Sequence, residues 1–175
     1  TDHRLNPRHV AERLNTILPA NRQIVLDGGH FITWICERLD IPDPASLMAV
    51  GTAFQSIGLG FGSAVGAAVG SPGKFTTCIS GDGGGQMALA DLATFIDQTE
   101  HGAVIMFNDA AYGAEIHQYA VLGADPTAMY LPQLDFAAVG QAMGATGINV
   151  DTLEDLEAFA NWLQDGAGVA MVNIN

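Results

Sequence analysis

Phe75-Thr76-Thr77-Cys78-Ile79-Ser80-Gly81-Asp82-Gly83-Gly84-Gly85 is the stretch that decides the fold. Residues 75–79 are all apolar or β-branched and read as a buried strand, and the glycines that follow read as a loop. Residues 86–97, with Met87, Leu89, Leu92, Ala93 and Ile96 on one face, then read as an amphipathic helix. The same strand-to-helix alternation continues downstream: strand 104–107 stopping at Asn108-Asp109, helix 137–143, strand 148–150, helix 153–163 and strand 169–174. Upstream, Asn6 caps a helix with Pro7 in its first turn and Val10, Leu14, Ile17 and Leu18 on one face. Strand 23–27 runs into Gly28-Gly29-His30, a helix carries Phe31, Trp34 and Ile35, residues 48–50 are a weak strand, and 58–69 form a small-residue helix. Strands separated by helices imply an α/β protein: three layers, a mostly parallel sheet with helices on both faces, and one domain over residues 1–175.

Composition narrows the function. Charged residues make up 14% and apolar residues 49%, which excludes disorder and leaves unusually little charged surface. A formal charge of −13 repels a phosphate backbone, so no nucleic-acid partner is expected. Residues 44–73 contain no charge, yet Thr52, Gln55, Ser56 and seven glycines make the run a poor membrane span, and a buried, close-packed helix is expected instead. Cys36 and Cys78 have no metal-ligand spacing and read as two reduced core thiols, which favours a cytoplasmic setting, as does the lack of a signal-peptide pattern. The opening at Thr1 and the apolar close on Ile174-Asn175 read as a piece of something longer.

In parallel sheets, ligands bind beyond the carboxyl ends of the strands, where the three unusual loops of this sequence all fall. Gly81-Asp82-Gly83-Gly84-Gly85 reads either as a tight turn or as a backbone cradle for phosphate. A carboxylate inside such a cradle repels phosphate unless a cation lies between them, and Mg²⁺ is held by one or two carboxylates plus phosphate oxygens. Asn108-Asp109 is an Asx turn or a second oxygen ligand. By themselves His30 reads as a turn or core residue, Ile57 as core packing and Glu115 as a solvated first-turn acid.

Gly81-Asp82-Gly83, 24 intervening residues and then Asn108-Asp109 resemble the thiamine diphosphate motif, which opens with Gly-Asp-Gly and closes with Asn-Asn. Residues 57–68, Ile-Gly-Leu-Gly-Phe-Gly-Ser-Ala-Val-Gly-Ala-Ala, resemble the apolar glycine-rich helix of the same enzymes. The chain is similar to the C-terminal, pyrophosphate-binding domain of the acetolactate synthase and benzoylformate decarboxylase group. The resemblance implies Asp82, Asp109 and the Ala111 carbonyl as Mg²⁺ ligands, with Asp109 standing where the family has its second Asn. It also implies Gly81, Gly83 and Gly84 at the diphosphate, with Gly29 and His30 reaching it from the other side. Ile57 would bend the cofactor, the Gln55 carbonyl would accept from its pyrimidine amino group, and Tyr112 and Glu115 would face its reactive end.

The family's activating Glu lies on a separate pyrimidine-binding domain, which does not fit in 175 residues. The chain is therefore expected to be half an active site, partnered by a pyrimidine domain or subunit in a homo-oligomeric enzyme that acts on a small 2-keto acid by carboligation or decarboxylation. Two alternatives stay open: a Rossmann-type nucleotide binder built on Gly58-Leu59-Gly60-Phe61-Gly62, and a non-catalytic subunit that keeps the fold.

Overall fold

Among the described residues, six strands form a single sheet: β1 (Arg22–Leu26), β2 (Leu47–Met48), β3 (Phe75–Gly81), β4 (His101–Phe107), β5 (Thr146–Val150) and β6 (Gly168–Ile174). The computed structural model describes residues 4–54 and 56–175. All neighbours are parallel, in the order β2-β1-β3-β4-β6-β5. The expected three-layer α/β architecture is what forms. Helices α1 (Pro7–Ile17), α2 (Ile32–Arg38), α3 (Gly51–Phe54), α4 (Gly60–Gly70), α5 (Asp82–Met87), α6 (Leu89–Gln98), α7 (Gly113–Tyr119), α8 (Phe136–Ala142) and α9 (Leu156–Asp165) complete it.

Strand alternation sorts the side chains into two cores. Ile24, Leu26, Ile79, Ile105 and Val172 point to one face and pack under Val10 and Leu14 of α1, Ile35 of α2 and Phe159 of α9. Val25, Cys78, Val104, Met106 and Met171 point to the other and pack under Phe61 of α4, Leu92 and Phe95 of α6 and Phe136 of α8. Because both faces are covered, the strands read as continuous apolar runs rather than as alternating ones. The Asn6 side chain accepts from the Arg8 amide at 3.0 Å, with Pro7 in the first turn, so α1 starts as its sequence indicates.

A row of amides crosses the carboxyl ends of β4, β6 and β5. Asn108 Nδ2 donates to Asn173 Oδ1 at 2.9 Å, and Asn173 Nδ2 donates to Asn149 Oδ1 at 2.8 Å. Asn173→Ala leaves the buried Asn108 amide short of an acceptor and is expected to destabilise by about 1–3 kcal/mol, read from urea denaturation.

Four sequence expectations are corrected. Residues 82–85 are helical, not loop, because Gly81 is extended and caps α5 while Asp82 stands in the first turn, favoured by the helix dipole. Tertiary packing overrides glycine's poor propensity there, since a Cβ on Gly84 would lie 2.4 Å from Asp27 Oδ2. The single helix expected over 86–97 breaks at Ala88, which caps α5 and opens α6. α4 is buried on only one face: Phe61, Ala64 and Ala67 pack inward while Val69 is 60% exposed, because α6 and the sheet cover one side of it. Cys78 lies in the core as expected, but Cys36 is exposed on the outer side of α2. Burial and the charge of Asp27 push the Cys78 thiol up.

β1 and β3 are neighbours whose chains depart in opposite directions, from β1 through α2 toward β2 and from β3 through α5 and α6 toward β4. Two adjacent loops that diverge leave a crevice at the strand ends, the usual ligand position in open parallel sheets.

Candidate functional site

A cavity of about 350 Å³ opens at that crevice. The loops after β1, β3 and β4 and the turn between α3 and α4 converge on it, bringing together Gly29, His30, Ile57, Gly81, Asp82, Gly83, Asp109, Ala111, Tyr112 and Glu115 from the sequence reading. Gly84 is not in the lining; the first turn of α5 is buried, and Gly84 sits against Asp27 and the Gly58 amide instead. Gln55 lies outside the described residues.

Asp82 is the buried centre of the site, 2% exposed. Its Oδ1 accepts from the Gly83 amide at 2.9 Å and its Oδ2 from the Ala111 amide at 3.1 Å. The Gly83 N–H, expected at a diphosphate, thus turns to the carboxylate. Burial, and secondly the charge of Asp109, push the Asp82 carboxyl up to about 6. A carboxyl raised by folding stabilises the fold below its unfolded pKa near 4, and that contribution is lost as pH rises through about 6. Metal-free protein is therefore expected to lose more stability between pH 4.5 and 7 than Asp82→Asn does, in paired urea titrations at the two pH values; equal losses would remove this assignment.

Asp109 follows β4, half-buried, with Oδ2 4.0 Å from His30 Nε2. Ala110 has φ 54, a left-handed conformation costing a non-glycine residue on the order of 1 kcal/mol, which the surroundings hold in place. Leu131 donates to the Ala110 carbonyl and Tyr112 to the Met129 carbonyl, both at 2.8 Å, so residues 110–112 are clamped by an antiparallel bridge between Ala111 and Tyr130. Asn108 also lines the cavity, with its side chain tied to neighbouring segments: its Nδ2 donates to Asn173 and, at 2.8 Å, to the Leu134 carbonyl, while its backbone carbonyl accepts from Arg4 Nη1 at 3.2 Å.

On the opposite wall, half-buried Ile57 packs against the Gly28 backbone and precedes Gly58, whose φ of +82 requires a glycine. Glu115 stands in the first turn of α7, and the His117 ring meets the His30 ring edge-on with centroids 5.5 Å apart. The sequence reading gave no role to Asp27, which is buried at the end of β1 and receives the amides of Gly28 and Gly58 at 2.8 and 2.9 Å. The available signal was an acid directly before two glycines at a strand end, the same signature that marked Asp82.

Two facing carboxylates, one of them held above its ordinary range, suit a hard divalent cation with oxygen ligands. Among the described residues no group of three or more His, Cys, Asp or Glu side chains converges, so this pair would need backbone, water or ligand oxygens to complete a coordination shell. The glycines of residues 58–62 enter α4 after α3 rather than after a strand, which removes the sequence basis for a Rossmann dinucleotide fingerprint.

The sequence profile of the family described as "Thiamine pyrophosphate enzyme, C-terminal TPP binding domain" matches residues 27–174. The chain is 30% identical to 2-hydroxyacyl-CoA lyase 2 from Bos taurus, over 97% of this chain and 28% of that protein. It is 22% identical to acetolactate synthase from Bacillus subtilis (strain 168), over 98% of this chain and 30% of that protein. The thiamine diphosphate-dependent 4-hydroxybenzoylformate decarboxylase of Rhodococcus jostii RHA1 superposes with a TM-score of 0.86 over 100% of this chain and 33% of that one, at 20% identity, which speaks for the fold. The chain thus spans less than a third of the length of these curated relatives.

Proposed function

The chain belongs to the family of C-terminal TPP-binding domains of thiamine pyrophosphate enzymes, and on that premise we propose that its cavity takes the diphosphate end of thiamine diphosphate through a Mg²⁺ ion held by Asp82 and Asp109. The observation that carries this reading is the buried Asp82 carboxyl in one cavity lining with Asp109, and the raised pKa of Asp82 is consistent with it. A divalent cation between the two acids would relieve both burial and mutual repulsion, and would give an anionic ligand a reason to bind among acids. The Ala111 backbone would supply a further oxygen, and Gly81 and Gly83 with Gly29 and His30 would close around the diphosphate.

The other residues would serve the rest of the cofactor. Ile57 would supply an apolar contact under its rings, and the carbonyl of Gln55, outside the described residues, would accept from the pyrimidine amino group. Tyr112 and Glu115 would lie at the reactive end, where Glu115 would hold or donate a proton to the reacting group. When bound, thiamine diphosphate supplies an electron sink for breaking or making a bond beside a carbonyl, while the protein binds and orients. The complete enzyme would be an acetolactate synthase-like carboligase or decarboxylase for a small 2-keto acid, in which residues 1–175 form one domain. A pyrimidine-binding domain or subunit would complete the site in a cytoplasmic homo-oligomer. Among the described residues, no helix is long and apolar enough to cross a membrane.

Thermal-shift measurements with thiamine diphosphate and Mg²⁺, each omitted in turn, test the reading. Both together at about 100 times the dissociation constant are expected to add about 2.7 kcal/mol, or roughly 5–10 °C in Tm. Equal shifts with and without Mg²⁺ would defeat the metal bridge, and no shift under any condition would defeat the cofactor assignment.

A further inference from the structure

We propose that Asp27 is a positioning residue that locks the Ile57 turn to the loops of the metal-side wall, so that the contact under the cofactor rings and the diphosphate site are held as one rigid unit. The inference rests on the thiamine diphosphate reading above and extends it to a residue outside the cavity lining. Asp27 is 2% exposed at the carboxyl end of β1. Its Oδ1 accepts from the amides of Gly28 at 2.8 Å, Gly58 at 2.9 Å and Leu59 at 3.4 Å, and its Oδ2 from Ser80 Oγ at 2.9 Å and Gly58 at 3.1 Å.

These donors come from three separate segments: the loop after β1, the turn between α3 and α4, and the end of β3. All three lead directly into cavity lining, through Gly28, Ile57 and Gly81 respectively. The carboxylate also presses on Gly84 of α5, where a Cβ would lie 2.4 Å from Oδ2, and on Gly60 of α4, where a Cβ would lie 2.9 Å from the Asp27 Cβ. A buried carboxylate is costly unless its oxygens are saturated with donors, and here they are, with charge-assisted bonds of the stronger kind. A neutral side chain would fill the same space, but its oxygens could not accept from all four groups.

The geometry explains why the turn is held from this side. Ile57 rests on Gly28, and Gly58 turns the chain with a left-handed φ into α4, so the amides of Gly58 and Leu59 face the strand end and not solvent. Releasing them frees Ile57 to move relative to Asp82; on the diphosphate side Asp27 also holds Gly28 and Ser80, but Ser80 and Gly81 stay in register with Met106 and Phe107 of β4 without it. Displacement of a positioning contact by about 1 Å is enough to alter binding or rate by orders of magnitude.

Isothermal titration of this chain with Mg²⁺-thiamine diphosphate and with Mg²⁺ and inorganic diphosphate separates the two walls of the site. Asp27→Asn replaces one acceptor oxygen by a donor facing other donors. It is expected to reduce the preference for thiamine diphosphate over inorganic diphosphate about tenfold or more, with diphosphate affinity kept within about threefold. In an Ile57→Ala background the same substitution is expected to change that preference by less than about twofold, because its effect passes through Ile57. Equal weakening of both ligands, additive effects in the double variant, or an unchanged preference would each overturn the proposal. Should Asp27→Asn fail to fold, Ser80→Ala, which removes the hydroxyl that donates to Asp27 Oδ2 and also lies 3.1 Å from the Gly81 carbonyl, is expected to shift the preference about threefold in the same direction, and no shift would overturn it. Wild-type chain that binds both ligands equally well overturns this inference alone. Wild-type chain that binds neither overturns the cofactor reading and this inference with it.

Discussion

Asp82→Ala is expected to abolish the Mg²⁺-dependent part of thiamine diphosphate binding, a loss of about 100-fold or more in affinity, without unfolding the domain. The side chain is buried, faces a second acid and is held well above the carboxylate range, so in metal-free protein it is a source of strain that alanine removes. Against that gain stand two lost acceptors, for the amides of Gly83 and Ala111. The two effects oppose each other, so the metal-free variant should melt near the wild type at pH 8, while addition of Mg²⁺ with thiamine diphosphate should no longer raise its Tm. Titration calorimetry gives the affinity, and an intact far-UV circular dichroism spectrum shows that the loss is local. A variant that folds and still shows the Mg²⁺-dependent gain would remove Asp82 from the metal site.

What could be read from the sequence follows a physical line. Asp82 and Asp109 were legible because each stands just past a run of apolar and β-branched residues, and strand ends in a parallel sheet gather on one edge whatever the separation along the chain. The start of α5 was not legible, since residues 83–85 are all glycine and local propensity argues for a loop; the close approach of Asp27 and Met106, both distant in sequence, is what leaves room only for glycine at 84 and 85. The break at Ala88 has no sequence mark at all. Asp27 carried the same strand-end signature as Asp82, but its role was not legible, because its donors belong to three segments and no window of residues contains them. The described part of the uncharged run 44–73 forms only short elements, and composition does not say which face of a uniformly apolar helix is covered. α4 leaves Val69 60% exposed, and Phe54, just upstream, is 75% exposed.

Asp109→Asn replaces one of the two acids by an amide of the same shape and is expected to exchange metal dependence for direct affinity. With two acids the protein places a formal charge of −2 at the metal, and with one it places −1. A unit charge about 4 Å from another contributes about 4 kcal/mol per unit of partner charge at an effective dielectric of 20, much of it returned as desolvation. The net weakening of Mg²⁺ binding is therefore set at about ten- to hundredfold. The same neutralisation removes repulsion toward the diphosphate, so thiamine diphosphate should bind the variant more tightly than the wild type when chelator is present, the opposite sign to its effect on Mg²⁺. Asp82 reports the change independently. Asp109 is the second cause of its raised pKa and burial the first, so in the variant the Asp82 carboxyl should move down from about 6 yet stay above the ordinary range. Carboxyl-detected NMR titration of metal-free protein reads that shift, and calorimetry at several Mg²⁺ concentrations reads the exchange of affinities. If Mg²⁺ affinity and the Asp82 titration both stayed where the wild type has them, the two acids would not share a cation, and Asp109 would be no more than the Asx turn that its position after β4 also permits.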